Sequence, residues 1–194
     1  MLILSDIEKI LNFIVEIEKL KDIIRKTKPV GVDRYKNSAE HSWHVCLSAL
    51  MLKEYANENV DIDKVIKMLL LHDLGEIDAG DTVFYHADTP ELKEAEEKGI
   101  KRIFGELPSE LANAYFKLWQ EFESCQTPES KFAKAIDRLP PLLHNIHGQG
   151  HSWKKYNISK ETVLASNGQR ITEGSAELWE VMREQIKRVT WSKE

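Results

Sequence analysis

Apolar side chains along this chain recur at intervals of three and four residues, the spacing that lines one face of a helix. Ser5 and Glu8 form a capping-box pattern ahead of Ile10, Leu11, Ile14 and Leu20, and turn-rich Lys28-Pro29-Val30-Gly31 closes that helix. Ser38-Ala39-Glu40 opens a second helix, predicted to carry His41 and to run to about Tyr55. Asp61 or Asp63 caps a third, in which Val65, Met68, Leu69 and His72 share one face.

The pattern lapses between Gly75 and Asp88 and resumes at Thr89-Pro90, a cap followed by a first-turn proline, with Gly105 as the stop. Ser109 opens a helix whose stripe is Leu111, Tyr115, Leu118, Trp119 and Phe122. Thr127-Pro128 repeats the cap-proline signal and starts a helix with Phe132, Ile136 and Leu139 facing inward and Asp137 beside them. Ser159 to Asn167-Gly168 predicts a short helix, Ser175 to Val189 a longer final one, and Gly148-Gln149-Gly150 a loop between. No strand-type alternation of useful length interrupts the series. The expectation is one all-α domain over residues 1–194, with Trp43 in its core.

Composition narrows the classes. The chain has 194 residues, 42% hydrophobic and 30% charged, which is enough to bury a substantial core. Its net charge of -5 argues against a broad grip on a nucleic-acid polymer, but leaves room for a small phosphorylated ligand held by local cations. Cys46 and Cys125, in no metal-type spacing, read as free thiols of a reducing compartment. The first residues lack a secretion signal, and the longest apolar stretch, Met68 to Leu71, cannot span a bilayer, so a cytoplasmic location and no membrane partner are expected.

The chemistry gathers at His72-Asp73, which closes the apolar run Val65 to Leu71. Buried imidazole and carboxylate groups have to be hydrogen-bonded or ligated. If His41 upstream and Asp137 downstream converge on them, two imidazoles and two carboxylates make a mixed nitrogen and oxygen ligand set for one divalent ion, Co²⁺, Mn²⁺, Ni²⁺, Fe²⁺ or Zn²⁺. Glu76 follows His72 by four residues and would stand over the same face if the helix continued, and Asp78 and Asp81 come next. Taken singly each has a plainer reading: His41 and Asp137 as hydrogen-bonded or solvated residues, His72-Asp73 as a helix C-terminus beside a turn, the acids as solvated or capping groups.

Together the residues resemble a known pattern. The order His…His-Asp…Asp is similar to the HD-domain metal-dependent phosphohydrolase superfamily. Ser38-Ala39-Glu40-His41-Ser42 and His72-Asp73-Leu74-Gly75-Glu76-Ile77-Asp78-Ala79-Gly80-Asp81 resemble its 5′-deoxynucleotidase branch, over about residues 5 to 145. The resemblance implies a helical bundle with its metal site in the core, His41, His72, Asp73 and Asp137 as ligands of a single ion, and Glu76 and Asp81 as catalytic acids. It implies a phosphate-binding role for Arg34, whose alternative is a surface salt bridge. The branch also carries an Arg-Trp pair near the end of its first helix. Here that neighbourhood reads Arg25-Lys26-Thr27, which keeps a basic residue, with Lys26 as a substrate-binding candidate, and lacks the tryptophan that serves the sugar.

Downstream of Asp137, His144, His147, His151 and Trp153 cluster around the glycine-bearing loop, and His144 and Trp153 are candidates for lining a substrate pocket. The implied activity is release of phosphate from a nucleotide or similar small phosphomonoester by an activated water, with a homodimer implied by the resemblance. Hydrolysis of a nucleoside triphosphate would need more basic residues. A binuclear site, as in related phosphodiesterases and oxygenases, would need more histidines than His86 between His72 and Asp137. A non-catalytic nucleotide sensor is the alternative of a different class.

Overall fold

The computed structural model describes residues 5–82 and 89–190, so His86 lies outside the described residues. Among the described residues the regular structure is helical, apart from one antiparallel bridge between Ile24 and Asn37. Helix α1 spans Asp6–Glu16 behind the Ser5/Glu8 capping box and runs on as a 3-10 turn over Ile17–Asp22. Helix α2 covers Ser38–Leu52, capped by Asn37, and α3 covers Ile62–Leu71, capped by Asp61. Helices α4 (Glu76–Ala79), α5 (Pro90–Phe104), α6 (Ser109–Ser124) and α7 (Pro128–Asp137) follow. The chain ends through α8 (Leu139–His147), α9 (His151–Lys155), α10 (Lys160–Gly174) and α11 (Ala176–Arg188).

Several boundaries depart from the sequence expectation. Helix α3 stops at Leu71, so Glu76 begins a separate four-residue helix instead of continuing the His72 face. Leu139 falls on α8, after a break at Arg138, and Pro140-Pro141 sit in that helix's first turn, where missing N–H groups cost nothing. Helix α10 passes through Gly168, which does not end it. A Cβ there would come 3.1 Å from Trp179 Cζ2, so the glycine serves close packing of α10 on α11. The loop expected around Gly148-Gln149-Gly150 is only a tight turn between α8 and α9, and His144, His147, His151 and Trp153 lie on those helices.

The core has two lobes. Val45 and Ala49 of α2, Met68 and Leu69 of α3, Phe132 and Ile136 of α7, and Ile171 and Ile186 from the last two helices are fully buried in the larger one. Phe13, Leu71, Ile100, Phe104 and Trp119 form the smaller one. Trp43 is in neither. Helix α2 buries Ser38, His41, Ser42, Val45, Cys46 and Ala49, which places Trp43 on its outer side at 66% exposure. Cys46 and Cys125 are free and buried. No helix among the described residues is long and apolar enough to cross a membrane.

Candidate metal centre

The larger lobe carries its polar site on three helices. His41 sits in the first turn of α2, His72 caps the C-terminus of α3 with Asp73 beside it, and Asp137 ends α7. His41 Nε2 lies 2.7 Å from Asp137 Oδ1 and 3.8 Å from Asp73 Oδ2. His72 Nε2 lies 3.1 Å from Asp73 Oδ1 and 3.4 Å from Asp137 Oδ1. The sequence candidates, up to 96 residues apart, therefore come together.

The donor chemistry fits a cation. His72 Nδ1 donates to the Leu69 carbonyl at 2.8 Å, so in the neutral ring the lone pair on Nε2 faces the carboxylates, ready for a cation in place of a proton. That Nε2 is buried and has no hydrogen-bond partner. Orphaned buried polar atoms are rare, and a divalent ion would satisfy this one. Ligand atoms of His41, His72 and Asp73 all lie within 4.8 Å of one another. Burial disfavours a charged His72, yet the Asp73 and Asp137 carboxylates overcome it and push the imidazole up to about 9. The pocket thus favours positive charge where Nε2 points. His41 goes the other way: burial, then the charges of Arg25 and Lys36, hold it well below the usual histidine range.

Two cations, the partly buried Arg25 and the buried Lys36, face this cluster. Arg25 leaves the 3-10 turn through the Ile24–Asn37 bridge and places Nη1 2.5 Å from Asp73 Oδ2 and 3.3 Å from Glu76 Oε1, with Nε 3.6 Å from Asp81 Oδ1. Lys36, only 2% exposed, sets Nζ 2.8 Å from His41 Nδ1. Burial, then the nearby Arg25 charge, pushes the Lys36 ammonium down to about 7. Ser38 Oγ donates to Glu76 Oε2 at 2.5 Å. Burial, followed by the Asp73 charge, raises the Glu76 carboxyl, and burial raises Asp81, whose Oδ2 is buried and unpartnered.

Asp137, Asp81, Arg25 and Lys26 share one cleft with Leu142, Trp153, Tyr156, Ile158 and Asn167. Lys26 and Trp153, read from the sequence as substrate-binding candidates, both line it. Arg34 does not. It is 56% exposed and pairs with Glu40, Nη1 to Oε2 at 2.8 Å. His144 lies outside the cleft lining, with Nδ1 3.2 Å from Thr27 Oγ1, and faces a separate groove that His147 and His151 also line.

Arg25, Lys36 and Ser38 hold central places that the sequence reading left without a role. For Arg25 a signal existed, since the neighbourhood that resembles the branch's Arg-Trp pair reads Arg25-Lys26-Thr27. Ser38 stands in the Ser38 to Ser42 run that carries the resemblance, but that run gives it no role; Lys36 offers no motif, and only folding brings the two to Glu76 and His41.

Comparison with known proteins places this geometry in context. The HD domain family model matches residues 17–179. The 5′-deoxynucleotidase HDDC2 of Dictyostelium discoideum is 34% identical over 119 residues, 58% of this chain, and the human HDDC2 is 28% identical over 116 residues, also 58%. The chain spans 63% and 54% of the length of these two relatives. The crystal structure of a predicted metal-dependent phosphohydrolase from Magnetospirillum magnetotacticum superposes with a TM-score of 0.89 at 41% identity, covering 96% of each chain. An HD-domain phosphohydrolase from Listeria innocua shares the fold at a TM-score of 0.60 and 22% identity, over 92% of this chain and 84% of that one.

Proposed function

This chain belongs to the HD-domain family, and we propose that the protein is a metal-dependent phosphohydrolase removing phosphate from a nucleoside monophosphate. The observation that carries the reading is the unpartnered Nε2 of His72, turned toward two carboxylates and a second imidazole in a buried site beside a cleft. His41, His72, Asp73 and Asp137 would hold one divalent ion of the Co²⁺, Mn²⁺, Ni²⁺, Fe²⁺ or Zn²⁺ class. Such an ion supplies Lewis acidity toward a phosphoryl oxygen and makes water a stronger nucleophile near neutral pH.

The chain's own groups do the rest. Arg25 and Lys26 bind and orient the phosphate, Arg25 with a planar fork suited to its oxygens. Glu76 and Asp81, within reach of that guanidinium, take the proton from the attacking water and return one to the leaving oxygen. Tyr156, backed by the buried Trp153 and Ile158, gives the nucleoside an apolar wall. Among the described residues the cations lining the cleft are Arg25, Lys26 and Arg138, and Arg25 is already engaged by acids, which suits one phosphate better than three. The surface pair with Glu40 weighs against a phosphate role for Arg34. His144, packed against Thr27, would support the Lys26-Thr27 wall from behind instead of touching substrate. A single domain over residues 1–194, a homodimeric assembly, a cytoplasmic setting and no nucleic-acid polymer as partner belong to the same reading.

The test is phosphate release from a panel of deoxyribonucleoside and ribonucleoside monophosphates, triphosphates and ribose 5-phosphate. The enzyme is stripped of metal and reloaded separately with each ion. Release from monophosphates that requires metal and disappears in Asp73→Ala is expected. Silence across the panel in a sample shown to hold metal overturns the reading.

A further inference from the structure

We propose that Arg102 is a positioning residue, which through Asp78 sets the place of α4 and with it Glu76 at its start and Asp81 just past its end. The proposal rests on the reading of Glu76 and Asp81 as the groups that move protons.

Helix α4 has four residues and no side-chain cap. A helix that short has no stability of its own, so tertiary contacts must hold it. On the inner side they are Ser38 Oγ and Arg25 Nη1, both bonded to Glu76. The outer side belongs to Arg102 of α5, whose Nε lies 2.6 Å from Asp78 Oδ2 and whose Nη2 lies 2.8 Å from Asp78 Oδ1. This is the two-point fork that fixes orientation as well as distance. The same guanidinium reaches Glu16 Oε1 of α1 at 2.8 Å and Glu106 at 3.4 Å. Arg102 therefore ties α4 to the helix whose continuation delivers Arg25.

The backbone leaves α4 little freedom except along this link. A Cβ on Gly99 would come 2.8 Å from the Gly75 carbonyl oxygen, so α5 and the start of α4 touch main chain to main chain. Gly80 then leaves the helix at φ 76°, a backbone conformation that glycine adopts without strain, and directs the chain to Asp81. Glu76 and Asp81 thus stand at the two ends of one short body that is seated on Gly99 and gripped from outside by Arg102. Small displacements of catalytic groups cost rate steeply, so this grip has a kinetic consequence.

The Arg102 and Asp78 side chains are 41% and 36% exposed, and a surface pair contributes little to global stability, so variants will fold. We would compare Arg102→Met, Arg102→Lys, Asp78→Asn and the Arg102→Met/Asp78→Asn double variant, measuring kcat, KM, metal content and Tm on the best phosphomonoester of the panel. Amide hydrogen exchange at residues 76–80 would be read on the same proteins. Arg102→Met is expected to lower kcat about ten- to a hundredfold with KM, metal content and Tm nearly unchanged, and to speed exchange in α4 but not in α2 or α3. Arg102→Lys should recover only part of the rate, and the double variant should be no worse than either single one. Unchanged exchange in α4 overturns the proposal whether or not the wild type turns over any substrate. Unchanged kcat, or losses that add in the double variant, overturns it too. A wild type silent on every phosphomonoester defeats the phosphohydrolase reading, while exchange still decides the clamp.

Discussion

Arg25 and Asp73, 48 residues apart in sequence, meet at 2.5 Å between Nη1 and Oδ2, and the contact seats one guanidinium among the carboxylates of Asp73, Glu76, Asp81 and Asp137. The two side chains are 15% and 11% exposed, so neither charge is well solvated. The arrangement lets a cluster of acids exist inside a helical core, and it orients the groups that would meet a phosphate.

Arg25→Met should therefore destabilise the protein by about 3–5 kcal/mol, because it strands buried carboxylates with no cation to compensate them. Arg25→Lys keeps the charge but loses the fork, and should recover part of the loss. Urea unfolding at pH 7 in chelator reads both effects. A midpoint for Arg25→Met equal to the wild type would refute this account of the cluster.

Metal should stabilise the fold in proportion to its occupancy. With free ion at about a hundred times its dissociation constant, linkage predicts about 2.7 kcal/mol, or about 5–10 °C in Tm for a chain of this size. Asp137→Ala removes a carboxylate 2.7 Å from His41 Nε2 and should abolish the metal-dependent rise. Differential scanning fluorimetry with and without chelator makes the comparison. A rise of undiminished size in Asp137→Ala would remove Asp137 from the ligand set.

Burial, then the charges of Lys36, His44 and Arg25, pushes the His144 imidazole down to about 3. Its folded pKa is below the unfolded value near 6.5, so the unfolded chain takes up a proton that the folded one refuses. The contribution of His144 to stability is complete above 6.5 and declines as pH falls from there toward 3. His144→Gln should make the stability lost between pH 7 and pH 5 smaller by about 1–2 kcal/mol. Denaturant midpoints across that range measure it. An unchanged pH slope would mean that His144 takes up its proton in the folded state as readily as in the unfolded one.

Trp43 offers a contrary expectation. At 66% exposure on the outer side of α2 it contributes no core volume, so Trp43→Ser should change stability by less than about 0.5 kcal/mol. A buried tryptophan would cost several kcal/mol on such truncation. Thermal unfolding separates the two directly.

The helical fold was legible because its signals are local. Capping boxes or side-chain caps at Ser5, Asp61, Thr89, Thr127 and Ser159 depend on residues within a turn of one another, and all of them start helices where the sequence implies. The expectation failed where tertiary contact overrode the local rule. Gly168 reads as a stop but serves as the seat for Trp179, and Trp43 reads as core but falls outside the buried arc of α2.

The same division runs through the candidate site. His41, His72, Asp73, Asp137, Glu76 and Asp81 were singled out by residue type, order and spacing, because metal-ligand chemistry admits few side chains and the His72 to Asp81 run is compact. By itself, then, the sequence determined the helical class, most of the helix starts, and which side chains could serve as ligands and acids. The tertiary structure alone decided what surrounds them. Lys36 behind His41, Ser38 and Arg25 on Glu76, Arg102 gripping Asp78, and Arg34 turned outward to Glu40 are pairings in space that neither residue type nor spacing along the chain announces. Hydrogen-bond and ion-pair partners are set by the packing of helices against one another, and packing joins positions whose separation along the chain carries no periodic signal.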